Sequence, residues 1–270
     1  MLAVLLATRR VDANRSLWSL IRAISMLVFW AACLPVAAIF GFPWTFITGN
    51  VNFLYRMGIW GAWTGVRLAG VKVEAIGLDQ IDPKRTYIFM SNHVSNLDPP
   101  ILIPLIPSRT SVMAKKELFK YPILGKTMRM GQLVPVDRGN REAGISAVRE
   151  ASAVLRKGVN MTIFVEGKRS WDGKLLPFKK GPFYLATEGA VPVVPVTVVG
   201  THDVMPKGRF SVKPGTVRVI FHKPIEPQEF GSRECLMENV WATINSGLPT
   251  EYQQAAPALA NESANHSQTR

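Results

Sequence analysis

The stretch Thr86-Tyr87-Ile88-Phe89-Met90-Ser91-Asn92-His93-Val94-Ser95-Asn96-Leu97-Asp98-Pro99-Pro100 changes character partway along. Residues 86–90 are β-branched, aromatic or apolar and read as a strand. Residues 91–98 are mostly polar and loop-forming, and two prolines close the stretch. A strand that runs directly into His93 and Asp98 puts both at its carboxyl end, where α/β sheets place their sites. Five residues along a regular helix would turn the second side chain away from the first. A His93–Asp98 contact therefore needs an irregular loop or a helix start between them, and Asn96 and Asp98 are good capping residues for one. Taken alone, such a pair is more often a capped turn than a catalytic dyad, so the surrounding sequence has to decide.

Outward from this stretch the same texture repeats. Short β-branched runs at 71–75, 86–90, 110–113, 133–136, 161–165, 193–199 and 216–221 alternate with longer helical patterns. One of these opens at Asn140, repeats apolar side chains at Ile145, Val148 and Leu155, and stops at Gly158. The alternation predicts an α/β fold with a mixed, largely parallel sheet flanked by helices. The run 191–196 carries Pro192 and Pro195, and a residue that cannot donate to a ladder favours an edge strand or a kink.

The N-terminus differs in kind. Residues 23–55 contain no charged side chain, 33 positions flanked by Arg9, Arg10, Arg15 and Arg22. About 20 apolar residues span a bilayer as a helix, so the run is long enough for a membrane anchor, but Pro35, Gly41, Pro43 and Gly49 interrupt it and make a hairpin as plausible as a straight span. Its apolar core is longer than the roughly 7–15 residues of a cleaved signal, so the segment is expected to be retained. Residues 58–70, with Trp60, Trp63 and Arg67, suit either an interfacial helix or a core helix. The expected organisation is a membrane-anchoring segment at 1–70, a catalytic domain at 71–249 and a disordered tail at 250–270.

Thirty-two Lys and Arg against 19 Asp and Glu give a net charge of +13, which attracts polyanions. Nucleic acid fits least, because no helix-turn-helix, RNP-like or zinc pattern accompanies the charge. Cys33 and Cys235 are far apart and lack companion ligands, so no disulfide framework or zinc site is expected. His202, His222 and His266 have no motif around them and read as structural or exposed residues.

Four further blocks lie at strand ends. Lys115-Lys116-Glu117-Leu118 follows the third run, and residues 131–138 end a strand on Arg138. Phe164-Val165-Glu166-Gly167-Lys168-Arg169-Ser170 ends another on a carboxylate, a glycine and two cations, and the proline-bearing run 191–196 is the last.

In this order and at these intervals the blocks resemble the four signature motifs of the glycerolipid acyltransferase family, over residues 72–224. Asn92, His93 and Asp98 match its NHxxxxD motif and Arg138 the arginine closing the second. Glu166, Gly167, Arg169 and Ser170 match the third, usually FPEGTRS, with Val165 in place of proline and Lys168 in place of threonine. Pro195 matches the proline of the fourth.

The resemblance implies transfer of a fatty acyl group from acyl-CoA or acyl-carrier protein to the sn-2 hydroxyl of 1-acyl-glycerol-3-phosphate (lysophosphatidic acid), giving phosphatidic acid. A neutral imidazole, with a reference pKa of about 6.5, suits removal of the hydroxyl proton, the role implied for His93. Asp98 would fix its tautomer, as in a serine-hydrolase triad whose hydroxyl comes from the substrate. Backbone N–H groups at the start of the following helix are candidates to receive the thioester oxyanion. Arg169 first and Arg138 second would grip the acceptor's phosphate through paired hydrogen bonds. Glu166 would position Arg169 or touch glycerol hydroxyls, Gly167 would admit the ligand, and Asn92, Lys116 and Pro195 complete the substrate-binding set. For Lys116, an ordinary solvated position fits equally well. No cofactor or metal is required. Membrane lipids are the expected partners, and the expected location is a bacterial inner membrane with the catalytic domain facing the cytoplasm. The altered third motif keeps other acceptors open, among them glycerol 3-phosphate, a lyso-ornithine lipid or another lysophospholipid. A non-catalytic, basic membrane-binding protein is the reading from a different class.

Overall fold

A computed structural model describes residues 2–137 and 141–255. In chain order these form α1 (Leu2–Val36), a π-helical turn (Ala37–Gly41), α2 (Phe42–Thr48) and α3 (Asn52–Leu68). The α/β part comes next with β1 (Val71–Ile76), β2 (Ile88–Ser91), α4 (Asp98–Leu102), β3 (Thr110–Lys115), α5 (Pro122–Met130), β4 (Val134–Val136), α6 (Arg141–Leu155) and β5 (Asn160–Phe164). It closes with α7 (Lys180–Gly189), β6 (Val193–Val199), α8 (Thr201–Val204), β7 (Gly215–Phe221) and α9 (Arg233–Ser246). Each of the seven expected runs overlaps a strand, and α6 ends before Gly158, which sits at φ +74° as a helix-stopping glycine should.

The seven strands make one sheet in the order β1-β7-β6-β2-β5-β3-β4. Strands β6, β2, β5, β3 and β4 run parallel, while β7 pairs antiparallel with β6 and carries β1 parallel to itself. Helices cover both faces, which is why the central strands β2 and β5 are buried at every residue. The two-residue period of a strand then sorts side chains into two cores. Phe89 points to the face holding Val194, Val196 and Phe221, and its neighbours Ile88 and Met90 point to the face covered by α6, α7 and α9.

The proline-bearing strand corrects an expectation. Pro195 lies in β6, third from one edge and hydrogen-bonded on both sides, with no kink needed. The register pairs Val196 with Phe221, so Pro195 faces His222, just beyond the end of β7. Its carbonyl accepts the His222 N–H at 3.0 Å, and its missing donor falls where the ladder stops.

The apolar N-terminus is a helical hairpin. Gly49, at φ +68°, reverses the chain after α2, and α3 returns against α1. The contact depends on glycine: a Cβ on Gly65 would come within 2.1 Å of Trp30, whose indole N–H donates to the Gly61 carbonyl at 3.0 Å. Residues 16–48 are long and apolar enough to cross a membrane by length and composition. The hairpin turns much of its apolar surface outward, with Phe46 92%, Ile47 80% and Trp60 62% exposed. The change of composition at residue 70 is not a change of packing, because Ala23, Met26, Val66 and Ala69 are buried in the same core as Phe89 and Phe221. Of the expected tail, residues 256–270 lie outside the described residues, and 250–255 are described. Thr250–Tyr252 form a 3-10 turn, and Tyr252 packs on Gly173 and against His202.

Candidate active site

The polar loop after β2 folds back on itself before α4 starts at Asp98. His93 Nδ1 and Asp98 Oδ2 are 2.7 Å apart, and the same oxygen accepts the backbone N–H groups of Val94 and Ser95, each at 2.8 Å. This is the irregular loop and helix start that a five-residue spacing requires. Ser95 Oγ ties the loop to the rest of the fold by donating to the Met205 carbonyl at 2.7 Å and accepting the Leu97 N–H. The other Asp98 oxygen, Oδ1, is buried without a partner among the described residues. His93 is 8% exposed, and its ring stacks on Phe164 with centroids 4.2 Å apart. With Nδ1 engaged, Nε2 is the ring atom left without a hydrogen bond among the described residues.

Two residues expected to contact substrate have partners within the fold. The Asn92 side chain makes a two-way bond with β6, accepting the Val198 N–H at 2.8 Å and donating to the Val198 carbonyl at 2.9 Å. Glu166 is buried beneath His93; Oε1 accepts the His93 N–H at 2.8 Å and Oε2 the Leu176 N–H at 3.0 Å. Neither carboxylate oxygen reaches Arg169. Burial pushes the Glu166 carboxyl up to about 8, against the downward pull of those two N–H groups. Gly167, at φ +69°, closes the turn that aims Glu166 inward, with its N–H on the Phe164 carbonyl. Ser170 N–H then donates to the His93 carbonyl at 2.8 Å, so the two loops are stitched through both backbone groups of His93.

The cations are distributed unevenly. Among the described residues the Arg169 guanidinium has no carboxylate partner. Asp172, a nearby candidate, is held by Ser170 Oγ and the Lys174 N–H instead. Lys116 is ion-paired with Asp137 on an exposed surface. Pro195 is buried in the sheet opposite Met90. Arg138, Asn140 and His266 lie outside the described residues. His222 bonds Thr197 Oγ1 at 2.9 Å, and burial lowers its pKa, consistent with a structural role.

The expected oxyanion donors at the start of α4 are largely occupied. Val94 and Ser95 N–H bind Asp98, Leu97 N–H binds Ser95 Oγ, Asp98 N–H binds the Ser95 carbonyl, and Pro99 and Pro100 carry none. In the loop after β5 the backbone N–H groups of Lys168 and Arg169 have no acceptor among the described residues. The sequence reading also missed Phe164 under the imidazole and Lys207, whose ammonium donates to the Arg169 carbonyl at 2.7 Å. Neither has a fixed spacing from His93 that would single it out.

The arrangement provides an oriented imidazole, a buried carboxylate behind it and an unpaired guanidinium, as proton transfer beside an anionic substrate requires. Comparison with known proteins points the same way. Residues 72–199 match the family model described as Acyltransferase. The 1-acyl-sn-glycerol-3-phosphate acyltransferase of Limnanthes alba is 33% identical over 231 residues, 83% of this chain and 81% of that protein. The Homo sapiens 1-acyl-sn-glycerol-3-phosphate acyltransferase alpha is 33% identical over 162 residues, 59% of this chain and 57% of that protein. The crystal structure of the 1-acyl-sn-glycerophosphate (LPA) acyltransferase PlsC from Thermotoga maritima matches with a TM-score of 0.76 at 29% identity, covering 86% of this chain and 95% of that one. The chain is thus an O-acyltransferase and belongs to the glycerolipid acyltransferase family, the group that includes the 1-acyl-sn-glycerol-3-phosphate acyltransferases.

Proposed function

We propose that this enzyme moves a fatty acyl group from a thioester of coenzyme A or acyl-carrier protein to the sn-2 hydroxyl of 1-acyl-glycerol-3-phosphate, forming phosphatidic acid. The observation that carries the reading is the 2.7 Å His93–Asp98 contact, which leaves Nε2 open beside the loop that bears the unpaired Arg169. The names of the relatives support the acceptor. In the proposed reaction Nε2 takes the hydroxyl proton as the oxygen attacks the thioester carbonyl. Asp98 holds the Nδ1–H tautomer and stabilises the imidazolium. When the tetrahedral intermediate collapses, the C–S bond breaks and the imidazolium returns its proton to the departing thiolate. Arg169 grips the acceptor's phosphate and so sets the distance from hydroxyl to Nε2. Glu166 and Asn92 act as positioning residues, one holding the His93 backbone and the other fixing the loop to β6.

The apolar hairpin would seat the enzyme on the cytoplasmic face of the cytoplasmic membrane. Arg15 and Arg22 on its first limb, and Arg67 and Lys72 where α3 ends, favour keeping both ends on that side, where the thioester donors are. The test is His93→Ala in detergent with acyl thioester and a panel of lyso-acceptors. A loss of roughly 10²- to 10⁴-fold in transfer, with the melting curve unchanged, is expected. Activity within a few-fold of the wild type would overturn the assignment.

A further inference from the structure

At the end of the sheet that carries His93, a second cavity of about 680 Å³ opens between the loop after β5, the loop after β6 and the start of β7. Its size lies within the roughly 300–1,000 Å³ of small-ligand sites. Lys207, Arg209 and Lys213 line it, and none of the three has a carboxylate partner among the described residues. Asp203, the one carboxylate in the described lining, takes the Tyr252 hydroxyl. Positive charge is crowded here without compensation: burial lowers the Lys207 ammonium, and Arg169 and Lys168 push it the same way.

Trp171 forms one wall. The Lys207 ammonium sits over its ring, 4.3 Å from the centroid, and the side chain is nonetheless 67% exposed. A Cβ on Gly208 would come within 2.8 Å of the indole, and Gly208 has φ +84°, so a glycine is what lets the loop pass under the ring. An open indole beside several unpaired cations is how proteins take a planar base together with its phosphates. Glycerol phosphate offers no ring to stack, and a charged lining is wrong for an acyl chain. The cavity adjoins the proposed catalytic loop: Trp171 comes directly after Ser170, whose N–H binds the His93 carbonyl, and Lys207 binds the Arg169 carbonyl.

We infer that this cavity holds the nucleotide end of the acyl donor, the 3′-phosphorylated adenosine diphosphate of coenzyme A, with the adenine on Trp171 and the phosphates among Lys207, Arg209 and Lys213. The inference rests on the acyl-transfer reading above and goes beyond it in choosing coenzyme A as the donor. The pantetheine arm then leads from the cavity to His93.

The full chain in detergent is assayed with palmitoyl-CoA and with S-palmitoyl-pantetheine, which has the same thioester and no nucleotide. Trp171→Ala and Lys213→Glu are each expected to raise the KM for palmitoyl-CoA about 10-fold while leaving transfer from palmitoyl-pantetheine and the acceptor's KM within about two-fold. Adenosine 3′,5′-bisphosphate is expected to compete with palmitoyl-CoA in the wild type and to bind by calorimetry, and both effects should weaken in the variants. An equal loss with both donors would mean that the cavity only shapes the catalytic loop. A rise in the acceptor's KM instead would mean that the cations read the acceptor's phosphate. Efficient transfer from acyl-carrier protein with no binding of the bisphosphate would mean a protein-borne donor. Unchanged kinetics would mean no site. Each of these overturns the inference. Calorimetry needs no turnover, so its failure stays distinguishable from failure of the acyl-transfer reading, which would show as no transfer from any thioester.

Discussion

Asp98→Asn tests how this site is built, because the structure predicts a milder outcome than the motif alone. Asp98 Oδ2 receives His93 Nδ1 at 2.7 Å and the N–H groups of Val94 and Ser95 at 2.8 Å each. Asparagine keeps one acceptor oxygen and brings an NH₂ group. If that NH₂ took the Oδ2 place it would confront two fixed backbone donors and leave both unpaired, at roughly 1–3 kcal/mol each. The oxygen therefore stays toward the histidine, and the NH₂ goes to the Oδ1 place, which is buried and has no partner among the described residues. His93 keeps its Nδ1–H tautomer and loses only the negative charge behind it. A hydrogen bond to a charged group contributes about 1.5–3 kcal/mol and a neutral one about 0.5–1.5, so the imidazolium loses about 1–2 kcal/mol, on the order of 10-fold in kcat. In the serine-protease triad, where the asparagine imposes the wrong tautomer, the loss is about 10⁴-fold. The assay is kcat with acyl thioester and 1-acyl-glycerol-3-phosphate in detergent, beside a melting curve. The curve should fall by a few degrees, because an NH₂ without an acceptor costs roughly 1–3 kcal/mol. A loss near 10⁴-fold would refute the argument that the two backbone donors hold the side chain's orientation. Wild-type kcat would refute the role given to the charge.

Arg169→Lys keeps the charge and loses the two-pronged geometry, so KM for the phosphate-bearing acceptor should rise and kcat fall, by up to roughly 10² for a misplacement of about 1 Å; an equal loss on an acceptor lacking the phosphate would show that Arg169 does not read it. For Glu166, an acid raised from 4.5 to about 8 holds in the folded state a proton that the unfolded chain releases, so its stabilisation is complete below pH 4.5 and lost as pH rises toward 8. Stability measured from pH 5 to 8 should fall by at most about 1.4 kcal/mol per pH unit from this group, and Glu166→Gln should flatten that slope; an identical slope in the variant would count against the buried proton. Leu5→Cys, in a chain with Cys33 and Cys235 replaced, should resist an impermeant thiol reagent in intact cells, and labelling would contradict a hairpin with both ends in the cytoplasm.

How much of this was legible before any coordinates depends on how far apart the partners lie. The strands were, because alternation and β-branching are properties of neighbouring residues. The hairpin was half legible: 33 uncharged residues broken by glycine and proline allow a bend, but only Gly61 and Gly65 against Trp30 show α3 returning along α1. His93 and Asp98 were legible as a pair because five residues can close a loop without help from the rest of the fold.

The partners of Glu166 and Asn92 were not. Glu166 is 73 residues from the His93 N–H it accepts, and Asn92 is 106 from Val198. Their meeting results from β2 lying between β5 and β6, a sheet order that no local pattern encodes. Pro195 misled for the same reason, since a missing donor matters only relative to the register of the neighbouring strand. The chain's local chemistry thus determined the elements and the His93–Asp98 pairing, and the resemblance of its motifs implied the class of reaction. Which oxygen faces which N–H, and which cations stay unpaired, depended on long-range packing, because hydrogen bonds are short and the residues that form them here are brought together only by the sheet.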